Sequence, residues 1–198
     1  MSTTQSMTLN AEYLKSKFDQ AHAYDAYVAT GTDAQQDGWK KIYDQCQLTD
    51  EQTKLVGAFT RQMRVLVSSG VWCGDCVQQI PLLQKIAEAS NGTVDLRIVD
   101  RDEHSDLAEQ IQICGGMRVP VAIFMAEDFE LVSIFGDRTL TRYRAIAKKQ
   151  LGAACAIPGA PVPNDELAGT LQDWLDEVER VHLLAQRAML VVLEEEGA

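Results

Sequence analysis

The sequence has no apolar run approaching 18 residues, so it predicts no transmembrane helix. Its first ten residues carry neither a basic region nor an apolar stretch, so we expect no signal peptide. Basic residues are also few, with 18 Lys and Arg against 29 Asp and Glu, which gives a net charge of −11. This balance argues against nucleic acid and anionic membranes as partners.

Cysteine is sparse and odd in number, with five in 198 residues, and only one pair is close in sequence. That spread excludes the disulfide framework of a secreted miniprotein, and we expect a reducing, cytoplasmic location. A structural zinc site needs four ligands, whereas the chain has one CxxC and three dispersed histidines, so we expect no metal site. No glycine-rich nucleotide fingerprint is present, so no organic cofactor is expected.

The paired cysteines lie in the stretch Trp72-Cys73-Gly74-Asp75-Cys76. This stretch follows an apolar β-branched run and precedes apolar residues at helical spacing. The first turn of a helix has unpaired N–H groups and a positive dipole, and these stabilise a cysteine as the reactive thiolate. The pattern therefore predicts a redox site with Cys73 as nucleophile and Cys76 as resolving thiol.

Helical patterns fill the chain before residue 60. Asn10 is expected to cap one helix that continues to residues 30–33, and a second helix is expected over residues 34–46. Thr49 and Gln52 form a capping box that predicts the start of a third helix. We expect residues 1–59 to form an N-terminal helical extension.

The middle of the chain alternates strands and helices. A strand, a helix with Pro81 inside it and a second strand predict a parallel βαβ unit with a right-handed crossover. A helix, an antiparallel hairpin and a closing helix follow, and residues 60–152 are expected to form one α/β domain. The predicted elements are strand 64–68, helix 74–89, strand 94–99, helix 105–114, strands 121–125 and 131–135, and helix 139–151.

The C-terminal segment, residues 153–198, begins with a linker. Residues 157–164 hold three of the five prolines, which predicts a stiff connector. A long helix is expected over 165–193, because apolar residues alternate spacings of three and four along it. This stripe has two interpretations, namely packing on the rest of the chain or a homodimer interface.

The middle segment resembles the thioredoxin family over about residues 60–150. Trp72-Cys73-x-x-Cys76 matches the family's WCxxC, Pro81 matches the proline of its active-site helix, and Val119-Pro120 matches the cis-proline facing the dithiol. The Gly74-Asp75 pair is similar to a bacterial branch that carries WCGDC and an N-terminal helical extension. The resemblance implies a thioredoxin-like fold, a central mixed sheet flanked by helices, with helical extensions at both ends.

The resemblance also implies roles for the residues around the dithiol. The residues expected to position the substrate are Trp72, Gly74, Asp75, Val119 and Pro120, with Trp72 flanking the site and Val119 and Pro120 positioning a substrate strand. The alternative for Pro120 is an ordinary trans proline at a strand start. Asp75 is expected to disfavour the Cys73 thiolate, which favours a reductant or isomerase-like site. The alternative is that Asp75 is a solvated residue of the helix's first turn.

One position departs from the family pattern. Many thioredoxins have a buried acid six residues before the first cysteine, which is thought to help move the proton of the resolving thiol, and here that residue is Val67. Asp75 and Asp100 are the candidate substitutes. The remaining cysteines are expected to fill the core, although Cys114 could also approach the active site. They are Cys46, Cys114 and Cys155.

The sequence therefore predicts a thiol–disulfide oxidoreductase that acts through Cys73 and Cys76. Its expected partners are a protein or small-molecule disulfide as substrate and a separate reductase as electron donor. The alternative is a thioredoxin-like binding or chaperone module in which the dithiol is incidental.

Overall fold

The centre of the chain is a four-stranded mixed sheet. The structure is a computed structural model that describes residues 9–151 and 165–196. Its strands are β1 (Met63–Ser69), β2 (Val94–Asp100), β3 (Val121–Met125) and β4 (Leu131–Gly136), and they lie in the order β2-β1-β3-β4. β1 is parallel to β2 and antiparallel to β3, which pairs with β4 as a hairpin. The predicted mixed sheet flanked by helices is confirmed.

Three helices connect these strands and close the sheet. They are α5 (Gly74–Ala89), α6 (Ser105–Ala108) and α7 (Leu140–Leu151). α5 has the predicted bounds, and it buries apolar side chains on either side of the buried Pro81. The crossover through α5 places the start of this helix at the carboxyl end of β1, which is where the dithiol lies.

The helix predicted over 105–114 is wrong in length, since α6 ends at Ala108. The chain turns back on itself after it, and Ile113 and Gly116 pair as an isolated bridge. Cys114 and Gly115 carry this turn with φ values of 50° and 72°, in the left-handed region. Cys114 is exposed there, so its expected place in the core is also wrong.

Between residue 9 and β1 the structure describes four helices, namely α1 (Ala11–Gln20), α2 (Tyr24–Val28), α3 (Asp33–Gln45) and α4 (Asp50–Gly57). The caps predicted at Asn10 and at Thr49 are present. The single helix predicted from Asn10 to residues 30–33 is wrong, because His22 lies in an extended break between α1 and α2. His22 exchanges two backbone hydrogen bonds with Ile98, of 2.9 and 2.8 Å, and so covers the free edge of β2.

The last helix, α8 (Glu166–Glu196), packs on the same core as the N-terminal helices. Its buried stripe includes Leu171, Trp174, Val178 and Val181, and Trp174 lies edge-on to Phe135 at 5.0 Å between ring centroids. The stripe therefore packs on its own chain over these residues. No helix in the described part of the chain is long and apolar enough to cross a membrane.

Two segments of the sequence predictions lie outside the described residues. The proline-rich linker at 157–164 is one of them, and so are the first eight residues. The side chains of residues 188 and 192, which continue the predicted stripe of α8, are also outside what the structure describes.

The packing of α8 can be tested with Trp174→Ala. Because Trp174 is fully buried, we expect a loss of about 3–5 kcal/mol in the free energy of unfolding, measured by urea denaturation. Leu183→Ala on the same helix is the matched control, since Leu183 is exposed and should change stability by less than about 0.5 kcal/mol. Equal effects of the two substitutions would contradict this packing.

Candidate functional site

The dithiol lies between the end of β1 and the first turn of α5. Cys73 is the N-cap of α5, with extended backbone angles of φ −83° and ψ 123°, and Cys76 lies in the first turn. Cys73 is partly exposed, whereas Cys76 is fully buried. The Cys73 thiol faces the carbonyl oxygen of Val119 at 3.8 Å. One sulfur is therefore open to a substrate and the other is enclosed behind it.

The two thiols have opposite acidities. A hydrogen bond from the Cys76 thiol lowers the pKa of Cys73 to about 6, burial opposes this, and the backbone N–H groups of Cys76 and Asp75 lower it further. Burial raises the pKa of Cys76 well above its usual value. Near neutral pH the accessible sulfur is thus mostly thiolate and the enclosed sulfur is a thiol.

Asp75 forms ion pairs with two arginines, Arg138 just before α7 and Arg142 in its first turn. Its Oδ2 lies 2.6 Å from Arg138 Nη2, and its Oδ1 lies 2.9 Å from Arg142 Nη2. Burial alone would raise the pKa of Asp75, but these hydrogen bonds and positive charges bring it below its usual range. Asp75 does raise the pKa of Cys73 as expected, but less than the hydrogen bonds lower it. The interpretation of Asp75 as a solvated residue is wrong.

Further polar contacts tie α5 to the helices behind it. The buried amide of Gln79 donates to the carbonyl of Asp137 at 3.1 Å and accepts from the Thr139 N–H at 3.2 Å. Arg142 also pairs with Glu166 at the start of α8. The first turn of α5 is therefore fixed from both α7 and α8.

Arg138 and Arg142 were not predicted as site residues from the sequence. Arg138 lies two residues before α7 and Arg142 lies in its first turn, so both are near the amino end of this helix. Nothing local to either arginine indicates that this end faces Asp75, which lies more than sixty residues earlier in the chain.

The other predicted site residues lie around Cys73. Trp72 is 53% exposed, and the Arg101 guanidinium lies 5.1 Å from its ring centroid. Gly74 opens α5 with open space around it. Val119 and Pro120 are buried at the start of β3, and the peptide bond between them is cis.

The N-terminal helices contact the segment that leads into the dithiol. Trp39 on α3 is fully buried, and its indole Nε1 donates to the Val71 carbonyl at 3.0 Å. Gly31, just before α3, lies so close that a Cβ atom there would be 2.8 Å from the Val71 side chain. The extension thus supports the backbone immediately before Cys73, a contact that the sequence alone did not indicate.

The remaining cysteines lie apart from this site. Cys46 is buried as predicted, and burial raises its pKa to about 11. Cys155 lies outside the described residues. Across residues 9–151 and 165–196, no three His, Cys, Asp or Glu side chains are grouped so that they could hold a metal ion.

An accessible cysteine and a buried one at a strand–helix junction, beside the Val119 carbonyl in a mixed sheet, are the arrangement of a thioredoxin-like protein. The family model described as Thioredoxin matches residues 21–148. The chain therefore belongs to the thioredoxin family, and oxidoreductase chemistry is the activity that this family suggests. The match includes most of the N-terminal helical segment as well as the sheet.

Individual relatives agree with this assignment. The chain is 30% identical to mitochondrial thioredoxin of Bos taurus over 81 residues, which are 41% of this chain and 47% of that protein. The match thus spans about half the length of that relative.

Two solved structures share the fold. A protein of unknown function from Pseudomonas aeruginosa has a TM-score of 0.65 at 20% identity, over 82% of this chain and 94% of its own. An HIV epitope scaffold has a TM-score of 0.66 at 19% identity, over 83% of this chain and 96% of its own.

The ion pairs of Asp75 lead us to predict how charge changes near it alter the pKa of Cys73. Removing a nearby positive charge disfavours the thiolate, so Arg142→Gln should raise the pKa of Cys73 above its value of about 6. Removing the negative charge has the opposite sign, so Asp75→Asn should lower it. The measurement is the rate of Cys73 alkylation by iodoacetamide as a function of pH.

Arg144→Gln is the matched control, because it removes the same charge from the same helix, while the ion pairs to Asp75 come from Arg138 and Arg142. Its alkylation profile should match that of the wild type. If Asp75→Asn and Arg142→Gln shifted the profile in the same direction, this account of the charge balance would be wrong.

Proposed function

We propose that the protein is a thiol–disulfide oxidoreductase that reduces disulfides through Cys73 and Cys76. The observation that carries the proposal is the contrast between the two sulfurs. Cys73 is accessible and has a pKa lowered to about 6, whereas Cys76 lies one turn behind it, buried and with a raised pKa. This pairing provides a thiolate for attack and a protected thiol for resolution.

The reaction takes two exchanges. The Cys73 thiolate attacks one sulfur of the substrate disulfide, forms a mixed disulfide and expels the other substrate sulfur as a thiolate, which takes up a proton. Cys76 then attacks the Cys73 sulfur, and the second substrate thiol leaves. The substrate gains two electrons and the protein is left with a Cys73–Cys76 disulfide, which a separate reductase would return to the dithiol.

The surroundings of Cys73 support an extended peptide as one class of substrate. The Val119 carbonyl lies 3.8 Å from the Cys73 sulfur at the start of β3. It can therefore accept a hydrogen bond from a strand laid beside the dithiol. Trp72, which precedes Cys73 and is largely exposed, provides an apolar surface. We assign positioning of the substrate to these groups, with Gly74 leaving the approach to Cys73 open.

The acidity of Cys73 supports a reductant. Strong oxidases have a nucleophile with a pKa near 3.5 and thioredoxin has one near 7, and a pKa of about 6 lies nearer the second. A reductant suits the reducing cytoplasm, where we propose that the protein acts. Within the family we place it in the bacterial branch with WCGDC, because helices α1 to α4 precede its first strand.

The proposal is tested by insulin disulfide reduction with dithiothreitol as the electron source. Cys73→Ser should abolish the protein-dependent rate, because it removes the attacking sulfur. Cys76→Ser should accumulate a covalent mixed disulfide with substrate, detected by non-reducing electrophoresis. Cys114→Ser is the control, because it removes an exposed cysteine outside the motif, and it should keep the full rate.

The same assay separates the enzyme from a binding module. A module with an incidental dithiol would reduce insulin no faster than its Cys73→Ser variant, and that result would refute the proposed activity. Capture of substrates by the Cys76→Ser variant would then also fail.

A further inference from the structure

The resolving cysteine lies against two buried hydroxyl groups. Cys76 and Ser69 are fully buried, and Tyr27 is 1% exposed. Ser69 is the last residue of β1, and Tyr27 comes from α2 in the N-terminal helices. The Ser69 hydroxyl faces both the Cys76 thiol and the Tyr27 hydroxyl. The side of Cys76 away from the substrate is therefore polar, although it is closed to solvent.

Neither hydroxyl completes a hydrogen bond within the part of the chain that the structure describes. Burying a hydroxyl without a partner costs stability, and native proteins rarely tolerate it without a reason. Alanine or phenylalanine would fill the same space at no such cost. Both hydroxyls are therefore available to donate a hydrogen bond when a negative charge develops beside them.

Among the described residues, the two carboxylates considered as substitutes for the missing acid are engaged elsewhere. Val67, on the same face of β1 as Ser69, is apolar and buried. Asp100 lies opposite Ser69 in the parallel register, and its Oδ1 accepts from the N–H groups of residues 102 and 103. Asp75 is bound by its two arginines. In the described part of the chain, Cys73 and the Gly70 backbone N–H also face Cys76.

We propose that Ser69, supported by Tyr27, stabilises the thiolate of Cys76 as it forms in the resolving exchange. This assignment rests on the proposed function. Cys76 loses its proton as its sulfur bonds to Cys73, the mixed-disulfide bond breaks, and the proton ends on the substrate thiolate that leaves. The developing negative charge on sulfur is the acceptor, and hydrogen bonds to a charged group are the strong ones.

The inference predicts that losing either hydroxyl slows only the second exchange. Ellman's reagent separates the steps, because attack by Cys73 and resolution by Cys76 each release one coloured thiolate. In stopped-flow at pH 7, Ser69→Ala should slow the second release about tenfold, and Tyr27→Phe, which acts through Ser69, about threefold. The first release should stay within about twofold of the wild type, because the bond to Cys73 forms outside this pocket.

Each substitution has a matched control in the chain. Ser68→Ala removes a buried hydroxyl from the opposite face of β1, and Tyr24→Phe removes another buried tyrosine hydroxyl without a partner among the described residues. Both controls should leave the two phases unchanged. All variants carry Cys114→Ser and Cys155→Ser, so that the dithiol supplies the signal.

The outcomes are distinct. An unchanged second phase in both Ser69→Ala and Tyr27→Phe overturns the inference, and so does a slowing confined to Asp100→Asn, which would assign the role to that carboxylate. A merely structural role for the hydroxyls predicts lower melting temperatures without selective slowing of the second phase, and this also overturns it. If no release depends on Cys73 in the otherwise intact protein, the proposed function fails instead.

Discussion

The first turn of α5 must hold two negative charges close together, the thiolate of Cys73 and the carboxylate of Asp75. The free N–H groups at the start of the helix favour both, but the charges repel each other. Arg138 and Arg142 offset that repulsion by forming ion pairs with Asp75. These ion pairs connect the start of α5 to the start of α7, and Arg142 extends the connection to Glu166 on α8.

The N-terminal helices are also connected to the dithiol, because they belong to the same hydrophobic core as the sheet and α5. Tyr27, Trp39 and Val56 pack in one cluster with residues of β1, α5 and α8. Trp39 holds the backbone before Cys73, and His22 pairs with the edge of β2. The division at residues 59 and 60, which the sequence suggested, stays a prediction, but no break in packing accompanies it among the described residues.

Local signals explain which parts of the fold were predictable. The bounds of α5 and the caps at Asn10 and Thr49 follow from residues within one or two turns, and the sequence predicted them correctly. The break at His22 could not be predicted this way. It depends on hydrogen bonds to Ile98, 76 residues later, which replace those that a continuous helix would make.

In the candidate site, too, some residues could be predicted from nearby sequence and others could not. Cys73, Cys76 and Pro120 could be located from spacing and resemblance, because the motif keeps its residues near one another or at fixed strand ends. The arginines that bind Asp75 and the hydroxyls that face Cys76 come from separate elements, and only the folded chain brings them together. A motif thus identifies the reacting atoms, whereas their acidity depends on residues that the motif does not contain.

The absence of an acid at Val67 has a physical consequence for the site. A buried carboxylate near Cys76 would add a second ionisation to the resolving exchange and would repel the thiolate once charged. Neutral hydroxyls donate to the thiolate without either effect, although they accept its proton less well than a carboxylate does. With Ser69 and Tyr27 in that place, the pH dependence of resolution rests on Cys76 itself. The N-terminal helices are then part of the chemistry, since one of the two hydroxyls is theirs.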